Sequence, residues 1–247
     1  KTTTRPVLSG VYMRAAKGKL LVVATDSYRL SEYKITAEAQ GEVECIIPSK
    51  VLVEVMAIIG GAKKGKDEDE EKPAKKGKKG KKEKEPVGKP VSLTLSSQQI
   101  EVEVGRTKIL SRLIDGSFPN YQQIIPDSHN TKVSLPLTEL LTTVKRMHYF
   151  AKESNNNLTL AVSSKELLVQ TQMTQVGRDE AHIPVDTQGD KNKIALSSSY
   201  LLDFLSHVSG EEVQMELTDK MHPAVFRVPA LPNLLHLIMP LRMSDDG

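Results

Sequence analysis

Side chains that could perform chemistry are few in this sequence and widely separated. Asp26 and Arg29 stand three positions apart between two apolar runs, which could bring a carboxylate beside a guanidinium. In a tight turn such a pair is an ion pair or an Asx turn rather than a catalytic dyad. No phosphate-cradling glycine loop, His-Glu-x-x-His pair or nucleophile elbow occurs. The sequence therefore disfavours catalysis, and it predicts a protein without a metal or another cofactor.

The remaining candidate ligands are scattered. The six histidines lack ligand spacing, and we interpret His222 and His236 as surface or edge residues. Cys45 is the single cysteine, so no disulfide can form within one chain, and a reducing compartment is favoured. No apolar run approaches the roughly 18 residues of a membrane span, and the N-terminus lacks a signal pattern. The sequence predicts a cytoplasmic protein without membrane contact.

Charge is concentrated in one segment. Residues 61–90 hold 12 lysines against 7 acidic residues, which leaves 22 basic and 24 acidic residues elsewhere. The segment has almost no hydrophobic residue and cannot offset its ordering entropy by burial, so we predict a disordered charged insertion. A solvated insertion and an arm that touches nucleic acid are both open. Since the rest of the chain is slightly acidic, nucleic-acid binding would need basic residues gathered on one face.

The elements that must position these residues follow from hydrophobic patterning. Apolar periodicity and turn residues predict helices over 49–59, 137–151 and 198–208, with Ser49 capping the first and Gly60 and Gly61 ending it. Short strands fill most of the remainder. They are expected over 20–25, from 30 onward, and over 43–47, 91–95, 100–104, 107–113, 133–135, 158–162, 166–171, 175–184, 194–196, 213–217, 224–228 and 234–239.

The two halves of the chain repeat one pattern. Residues 19–25 match 166–171 at an offset near 147, and 47–52 match 196–201 at nearly the same offset. Residues 91–95 match 213–217 at an offset near 122, so the charged segment is an insertion of about 25 residues in the first copy. We predict two domains, 1–126 and 127–247, that meet at 111–126. The first copy lacks a counterpart of the strand and helix over 133–151.

Four stretches resemble the bacterial DNA polymerase III β subunit, the sliding clamp. They are Arg5-Pro-Val-Leu-Ser-Gly10, Val23-Ala-Thr-Asp-Ser-Tyr-Arg-Leu30, Ser111-Arg-Leu-Ile-Asp-Gly-Ser-Phe-Pro-Asn-Tyr121 and Leu237-Ile-Met-Pro-Leu-Arg-Met243. The resemblance implies an α+β fold of tandem DNA-clamp domains, each with two helices packed on antiparallel sheets. This chain corresponds to the middle domain, short of its first strand and helix, and the third domain. In the family a homodimer forms a ring around duplex DNA.

The resemblance also implies a docking groove between the middle and third domains. Family partners insert a Gln-Leu-x-Leu-Phe-like peptide there, and methionine and leucine suit an adaptable apolar cleft. The matching positions are Leu8, Thr25, Ser27, Tyr28, Arg29, Leu30, Pro119, Ile124, Met221, Pro223, Leu237, Ile238, Met239, Pro240, Leu241 and Arg242. The alternative for 237–241 is a plain edge strand. Ser27 stands where the family often has Gly, and Gln123 where it often has a basic residue.

The family's helices line the hole of the ring and meet the phosphate backbone without reading bases. Arg5, Lys50, Lys145 and Lys152 are the candidates to face DNA here. The alternative is an ordinary solvated helix face. Pro6 and Val7 replace aromatic residues that are common near the DNA-facing side.

The implied function is a non-catalytic replication clamp that tethers its partners to DNA. The partner classes are the DNA polymerase III α subunit, the clamp loader, other polymerases, ligase and mismatch-repair proteins. Two alternatives remain: a ring-less clamp paralogue that only binds peptides, and an enzyme with a cleft between its domains.

Overall fold

The computed structural model describes residues 5–38, 41–64, 90–175 and 177–242. Three α-helices lie within these ranges: α1 Ser49–Lys64, α2 Leu137–Ala151 and α3 Ser198–His207. The strands are β1 Gly10–Ala16, β2 Lys19–Thr25, β3 Arg29–Thr36, β4 Val43–Pro48, β5 Val91–Leu95, β6 Gln99–Val104, β7 Thr107–Arg112, β8 Thr131–Pro136, β9 Asn157–Val162, β10 Glu166–Thr171, β11 Glu180–Pro184, β12 Asp186–Gly189, β13 Asn192–Ser197, β14 Glu212–Leu217, β15 Ala224–Val228 and β16 Leu231–Ile238.

Contacts divide the chain into two compact units. The first unit contains residues 1–13 and 43–118, and the second contains 14–42 and 119–247. The β2–β3 hairpin therefore groups with the later part of the chain, although it stands early in the sequence. The domain boundary at 126 and 127 stays a prediction about the repeat, because this grouping reports contacts rather than the repeated pattern.

The first unit is built on a three-stranded antiparallel sheet, β5-β6-β7, with α1 in contact with β6. Its core includes Ile100 and Val102 of β6, which are fully buried, and Val51 and Val55 of α1. The backbone of β1 also packs tightly here. A Cβ added to Gly10 would lie 2.7 Å from the carbonyl oxygen of Ile47 in β4, so only glycine fits at the start of β1.

Helix α1 differs from the sequence prediction at both ends. Ser49 is its first helical residue rather than its cap, and the helix continues beyond Ile59 to Lys64. Gly60 lies inside the helix and does not adopt the positive φ of a glycine that ends one. The predicted disordered insertion therefore begins with four helical residues, and its part over 65–89 lies outside the described residues.

Matching strands of the two copies differ in exposure. Val213 and Met215 of β14 are fully buried, whereas their counterparts in β5, Val91 and Leu93, are 41% and 37% exposed. Strand β14 pairs with β8 on one side and β15 on the other, but β5 pairs only with β6 among the described strands. The difference in exposure therefore follows from the number of strands that pair with β14 and β5 among the described residues.

The second unit contains two antiparallel sheets with two helices packed against both. One sheet has consecutive strands in the order β12-β8-β14-β15-β16-β3-β2, and the other has the order β11-β10-β9-β13. Helices α2 and α3 pack on each other; α2 contacts β8 to β11, and α3 contacts β13 and β16. Fully buried side chains such as Leu140, Leu160 and Phe226 form one core between these layers. The predicted α+β clamp-type architecture is confirmed.

Patterning located most elements of this unit but not all of them. Helix α2 runs from Leu137 to Ala151 as predicted, and β10 and β15 also have their predicted bounds. Strand β11 begins only at Glu180, five residues later than expected, and β12 was not predicted. The sequence of β12 is Asp-Thr-Gln-Gly, which carries no apolar alternation; its pairing with β8 makes it a strand.

No helix of the described ranges is long and apolar enough to cross a membrane.

Candidate docking surface

Four strands of the large sheet in the second unit have one terminus at the same end of the sheet. Ile238, the last residue of β16, pairs with Ala224 at the start of β15 and with Arg29 at the start of β3. Leu30 pairs in turn with Thr25, the last residue of β2. Strand register thereby brings candidate residues of the β2–β3 hairpin beside candidate residues of the β15–β16 hairpin, which lies far away in the sequence. We call the surface formed by Thr25, Tyr28, Arg29, Met239 and Pro240 the strand-end surface.

The turn between β2 and β3 is fixed by short polar side chains. The Asp26 carboxylate accepts hydrogen bonds from the backbone amides of Tyr28 and Arg29, both at 3.0 Å. The Thr25 hydroxyl donates to the carbonyl of Arg29 at 2.8 Å and accepts from the amide of Ser27 at 3.1 Å. This geometry confirms the predicted Asx turn. Ser27 has a φ of 77°, a left-handed conformation that favours glycine.

The guanidinium of Arg29 is held by two carboxylates and one ring. Its Nε donates to Asp26 at 3.0 Å, its Nη1 donates to Asp203 of α3, and its Cζ lies 4.7 Å from the centroid of the Tyr200 ring. Burial lowers the pKa of Arg29, but the hydrogen bonds to Asp203 and Asp26 outweigh burial and raise this pKa above its ordinary value. Arg29 is therefore a fixed cation, and its position is set by α3 as well as by its own turn.

Two tyrosines give this surface an aromatic component. Tyr28 is 61% exposed, and its ring is stacked 6.4 Å from that of Tyr200. Burial, followed by the charge of Asp26, raises the pKa of Tyr200, so this phenol stays neutral at physiological pH. A neutral ring beside an exposed ring offers apolar area with a hydroxyl at its edge, which is a common chemistry of peptide-binding surfaces.

The segment after β16 is anchored through its backbone. The amide of Met239 donates to the carbonyl of Tyr28 at 2.8 Å, and the amide of Leu241 donates to the carbonyl of Ala195 at 2.8 Å. Met239, Pro240 and Leu241 are half-buried, so their side chains present part of their apolar area to solvent. A flexible thioether on a fixed backbone suits contact with apolar side chains of varied shape.

The other predicted groove residues differ in how exposed they are. The side chains of Leu30, Leu237, Ile238 and Pro223 are buried and support the surface from within. Met221 is 74% exposed in the loop before β15, where its amide donates to the Asp219 carboxylate. Arg242 is exposed and Leu8 half-buried, and Leu8 belongs to the first unit.

Pro119 and Ile124 lie in a loop that a buried hydrogen bond attaches to β3. The Tyr121 hydroxyl donates to Glu32 at 2.6 Å, and both side chains are buried. Pro119 and Ile124 are exposed on this loop. Their place in one groove with the turn at Ser27 stays a prediction.

His236 does not have the position predicted for it. It is 4% exposed, its Nδ1 lies 2.8 Å from the Ser31 hydroxyl, and its ring stacks on Phe204 with centroids 4.3 Å apart. Burial lowers the pKa of His236 to about 4. Both the surface prediction and the edge-strand alternative fail for one reason: β16 lies between β15 and β3. His222, in contrast, is exposed.

The four candidate DNA-facing residues are all exposed. Lys145 lies on α2, and Lys152 directly follows the last residue of this helix, so the spacing of seven puts both on the same side. Neither lysine has an ion pair within the described part of the chain. The neighbouring Arg146 is paired with Asp179 at 2.8 Å. Arg5 and Lys50 belong to the first unit. Exposure fits contact with phosphates, but it also fits a solvated helix face.

No group of three or more His, Cys, Asp or Glu side chains that could hold a metal ion occurs within residues 5–38, 41–64, 90–175 and 177–242. Cys45 is buried, and burial, followed by the charge of Glu44, raises the pKa of its thiol to about 11. This thiol is therefore protonated and inert at physiological pH.

Two residues that position this surface are absent from the sequence prediction. They are Tyr200 and Asp203 of α3, which hold Arg29 in place. Their spacing of three on α3 was the available signal, since it puts both on one side of the helix. Their partner could not be identified, because it stands far away in sequence.

The fold and this surface define a class: clamp-type α+β units with apolar and aromatic side chains presented at the ends of the sheet strands. Two family models match the chain: the DNA polymerase III beta subunit central domain over residues 1–71 and the C-terminal domain of the same subunit over 122–242. The chain belongs to the DNA polymerase III β subunit family, the bacterial β sliding clamps.

Individual relatives agree with this assignment. The beta sliding clamp of Chlamydia pneumoniae is 28% identical over 245 residues, covering 98% of this chain and 59% of the relative. That of Staphylococcus aureus is 27% identical over 243 residues, covering 97% and 58%. The solved clamp of Bacillus subtilis superposes with a TM-score of 0.83 at 24% identity, covering 99% of this chain and 59% of that one. The chain thus spans about three-fifths of its relatives' length.

Proposed function

We propose that this chain is the central and C-terminal part of a sliding clamp that encircles duplex DNA as a homodimeric ring and docks replication and repair proteins. The docking element is the strand-end surface, which receives a linear peptide of the Gln-Leu-x-Leu-Phe type. The proposed partners are the DNA polymerase III α subunit, the clamp loader, other polymerases, ligase and mismatch-repair proteins. The role is non-catalytic and cytoplasmic.

One observation carries the docking proposal: strand register brings the Met239 segment and the Tyr28 turn into direct contact, with the Met239 amide 2.8 Å from the Tyr28 carbonyl. Half-buried Met239 and Pro240 beside the exposed Tyr28 ring offer apolar area for the leucine and phenylalanine of the peptide. Arg29 supplies a fixed cation for its polar groups.

The experiment is a fluorescence anisotropy titration of this chain with a labelled Gln-Leu-x-Leu-Phe peptide. Met239→Ala removes the central thioether, and we expect about tenfold weaker binding, or about 1.4 kcal/mol. Met173→Ala is the matched control, because Met173 is 74% exposed in the connection between β10 and β11. It should bind as the unsubstituted chain does. A folded chain that fails to bind the peptide, or equal affinities for the two variants, would refute docking at this surface.

Encirclement of DNA is a separate claim and needs its own test. The chain covers only about 59% of its relatives, so ring closure is proposed for the protein of which these units are a part. Loading that protein onto nicked circular DNA and then linearising the DNA separates the alternatives. A ring slides off the linear DNA, whereas a ring-less paralogue that only binds peptides never accumulates on the circle.

A further inference from the structure

A histidine lies between the two lysines that are proposed to face DNA. Lys145, His148 and Lys152 are spaced by three and four positions, so their side chains are neighbours on one side of α2. The backbone amide of Lys152 donates to the carbonyl of His148, which continues the helical geometry through Lys152. The three side chains therefore form one row, which we call the α2 row.

The imidazole of the α2 row is positioned by the neighbouring helix. His148 Nδ1 lies 2.9 Å from the hydroxyl oxygen of Ser198, the first residue of α3, and Ser198 is fully buried. His148 is only half-buried, so part of its ring reaches solvent beside the exposed lysines. A hydroxyl accepts a hydrogen bond as well as it donates one, so Ser198 is a partner for both the neutral and the protonated ring. His148 can therefore gain a proton without leaving its position.

The free chain favours the neutral form of this ring. Burial, followed by the positive charge of Lys152, lowers the pKa of His148 below its ordinary value of 6.5. No carboxylate raises this pKa: Asp179 is paired with Arg146 at 2.8 Å, Glu153 is exposed, and α3 meets the ring with an uncharged hydroxyl. The last turn of a helix favours a cation, and His148 lies in the last turn of α2. An anion beside the α2 row would therefore shift the ring toward its protonated form.

We propose that His148 is a third phosphate-contacting residue of the α2 row and that it takes up a proton when the chain binds duplex DNA. The inference rests on the proposed function, in which Lys145 and Lys152 contact the phosphate backbone. These lysines are separated by about 10 Å along the helix axis, so phosphates that contact them flank the ring between them and offset the charge of Lys152. The protonated imidazole then donates a charge-assisted hydrogen bond to a phosphate oxygen.

The direction of the resulting pH dependence follows from proton binding. The pKa of His148 is higher in the DNA complex than in the free chain, so the complex binds more protons between these two values. DNA affinity therefore rises as pH falls through the pKa of the complex, and it levels off below the pKa of the free chain. Lysine and arginine side chains keep their charge throughout this range, so they contribute no such dependence.

The test is an anisotropy titration of a labelled duplex with this chain at low salt, where phosphate contacts are strongest. We expect the unsubstituted chain to bind several-fold more tightly at about pH 6 than at about pH 8. His148→Asn places an amide near the position of Nδ1, which keeps a partner for Ser198 but cannot titrate, and it should remove most of this difference. The matched control is His182→Asn, because His182 is an exposed histidine of β11, and this variant should keep the full pH dependence.

Calorimetry in two buffers with different ionisation enthalpies measures the proton uptake directly, and it does not depend on the stability of any variant. The unsubstituted chain should take up protons when it binds the duplex at about pH 7. The role of His148 is overturned if no protons are taken up, if the pH dependence survives His148→Asn, or if it disappears in His182→Asn.

The failure of this inference and the failure of the proposed function give different results. If the duplex binds without pH dependence, and Lys145→Glu combined with Lys152→Glu weakens that binding, the role of His148 is wrong and the proposed DNA contact stands. If the unsubstituted chain does not bind the duplex at any pH, both are overturned.

Discussion

The guanidinium carbon of Arg29 lies 4.7 Å from the centre of the Tyr200 ring, and this contact joins the first residue of β3 to helix α3. Asp203, which follows Tyr200 by three residues on α3, pairs with the same guanidinium. The turn that carries Tyr28 is thereby attached to the helix that packs on the sheet. The shape of the strand-end surface depends on this attachment as much as on the strands.

The ion pair between Arg29 and Asp203 should show measurable coupling. Its side chains are 30% and 49% exposed, so solvent screening limits its contribution to about 0.5–1 kcal/mol. A double-mutant cycle of Arg29→Gln and Asp203→Asn, measured by urea unfolding, gives the coupling energy directly. The value should fall in high salt. A coupling near zero at low salt would mean that Asp203 does not help to hold the guanidinium.

Ser27→Gly should stabilise the second unit. Ser27 has a φ of 77°, where an L-residue is strained by about 1–2 kcal/mol, and glycine relieves that strain while costing some unfolded-state entropy. The expected net gain is about 0.5–1 kcal/mol in the free energy of unfolding. The control is Ser164→Gly, at an exposed position without positive φ, which should destabilise the protein slightly. Equal effects of the two substitutions would contradict the strain argument.

Protonation of His236 should make stability depend on pH. Its folded-state pKa is lowered to about 4 by burial, against 6.5 in the unfolded chain, so between these values the unfolded state binds more protons. Stability is therefore full above pH 6.5 and declines as pH falls toward 4, by up to about 3 kcal/mol.

A variant that cannot titrate isolates this effect. His236→Phe keeps a ring against Phe204 and removes the titrating group. Chemical denaturation between pH 4 and 7 should show a shallower decline for this variant than for the unsubstituted chain. Parallel declines would assign the acid sensitivity to other groups.

Lys145 and Lys152 should contribute to weak, sequence-independent binding of duplex DNA. If both contact phosphates, replacing both by glutamate lowers affinity at low salt and reduces the slope of log K against log salt by about 2. The slope can be measured by fluorescence titration of duplexes with unrelated sequences. Lys165→Glu and Lys191→Glu together are the control of equal charge. An unchanged slope would mean that the exposed side of α2 is only solvated.

The sequence predicts which helices and strands the fold contains better than it predicts where they begin and end. Helix α2 has one apolar face, bounded by Leu137 and Ala151, and its limits follow from that face. For helix α1, the predicted end at Gly60 is too early, because a glycine in a helix need not end it and Gly60 keeps a helical backbone. Strand β12 has no apolar pattern at all. Its existence depends on hydrogen bonds to β8, and these cannot be inferred from four polar residues.

The candidate surface was partly predictable for a related reason. The motif that contains Asp26 and Arg29 has local hydrogen bonds, so its turn follows from neighbouring residues. The contact of Arg29 with Tyr200 depends instead on how α3 packs, which single-chain patterning does not determine. His236 was misplaced because the order of strands decides its burial, and an isolated histidine in an apolar run gives no sign of that order.

The most direct test of docking at the strand-end surface is a methionine-methyl NMR titration with the Gln-Leu-x-Leu-Phe peptide. The chain has eight methionines, so each reports on one part of the molecule. We predict that the methyl resonance of Met239 shifts most, while those of buried Met147 and Met215 and of exposed Met173 stay fixed. Saturable shifts at Met173 without any at Met239 would place the peptide elsewhere and contradict the proposed docking surface.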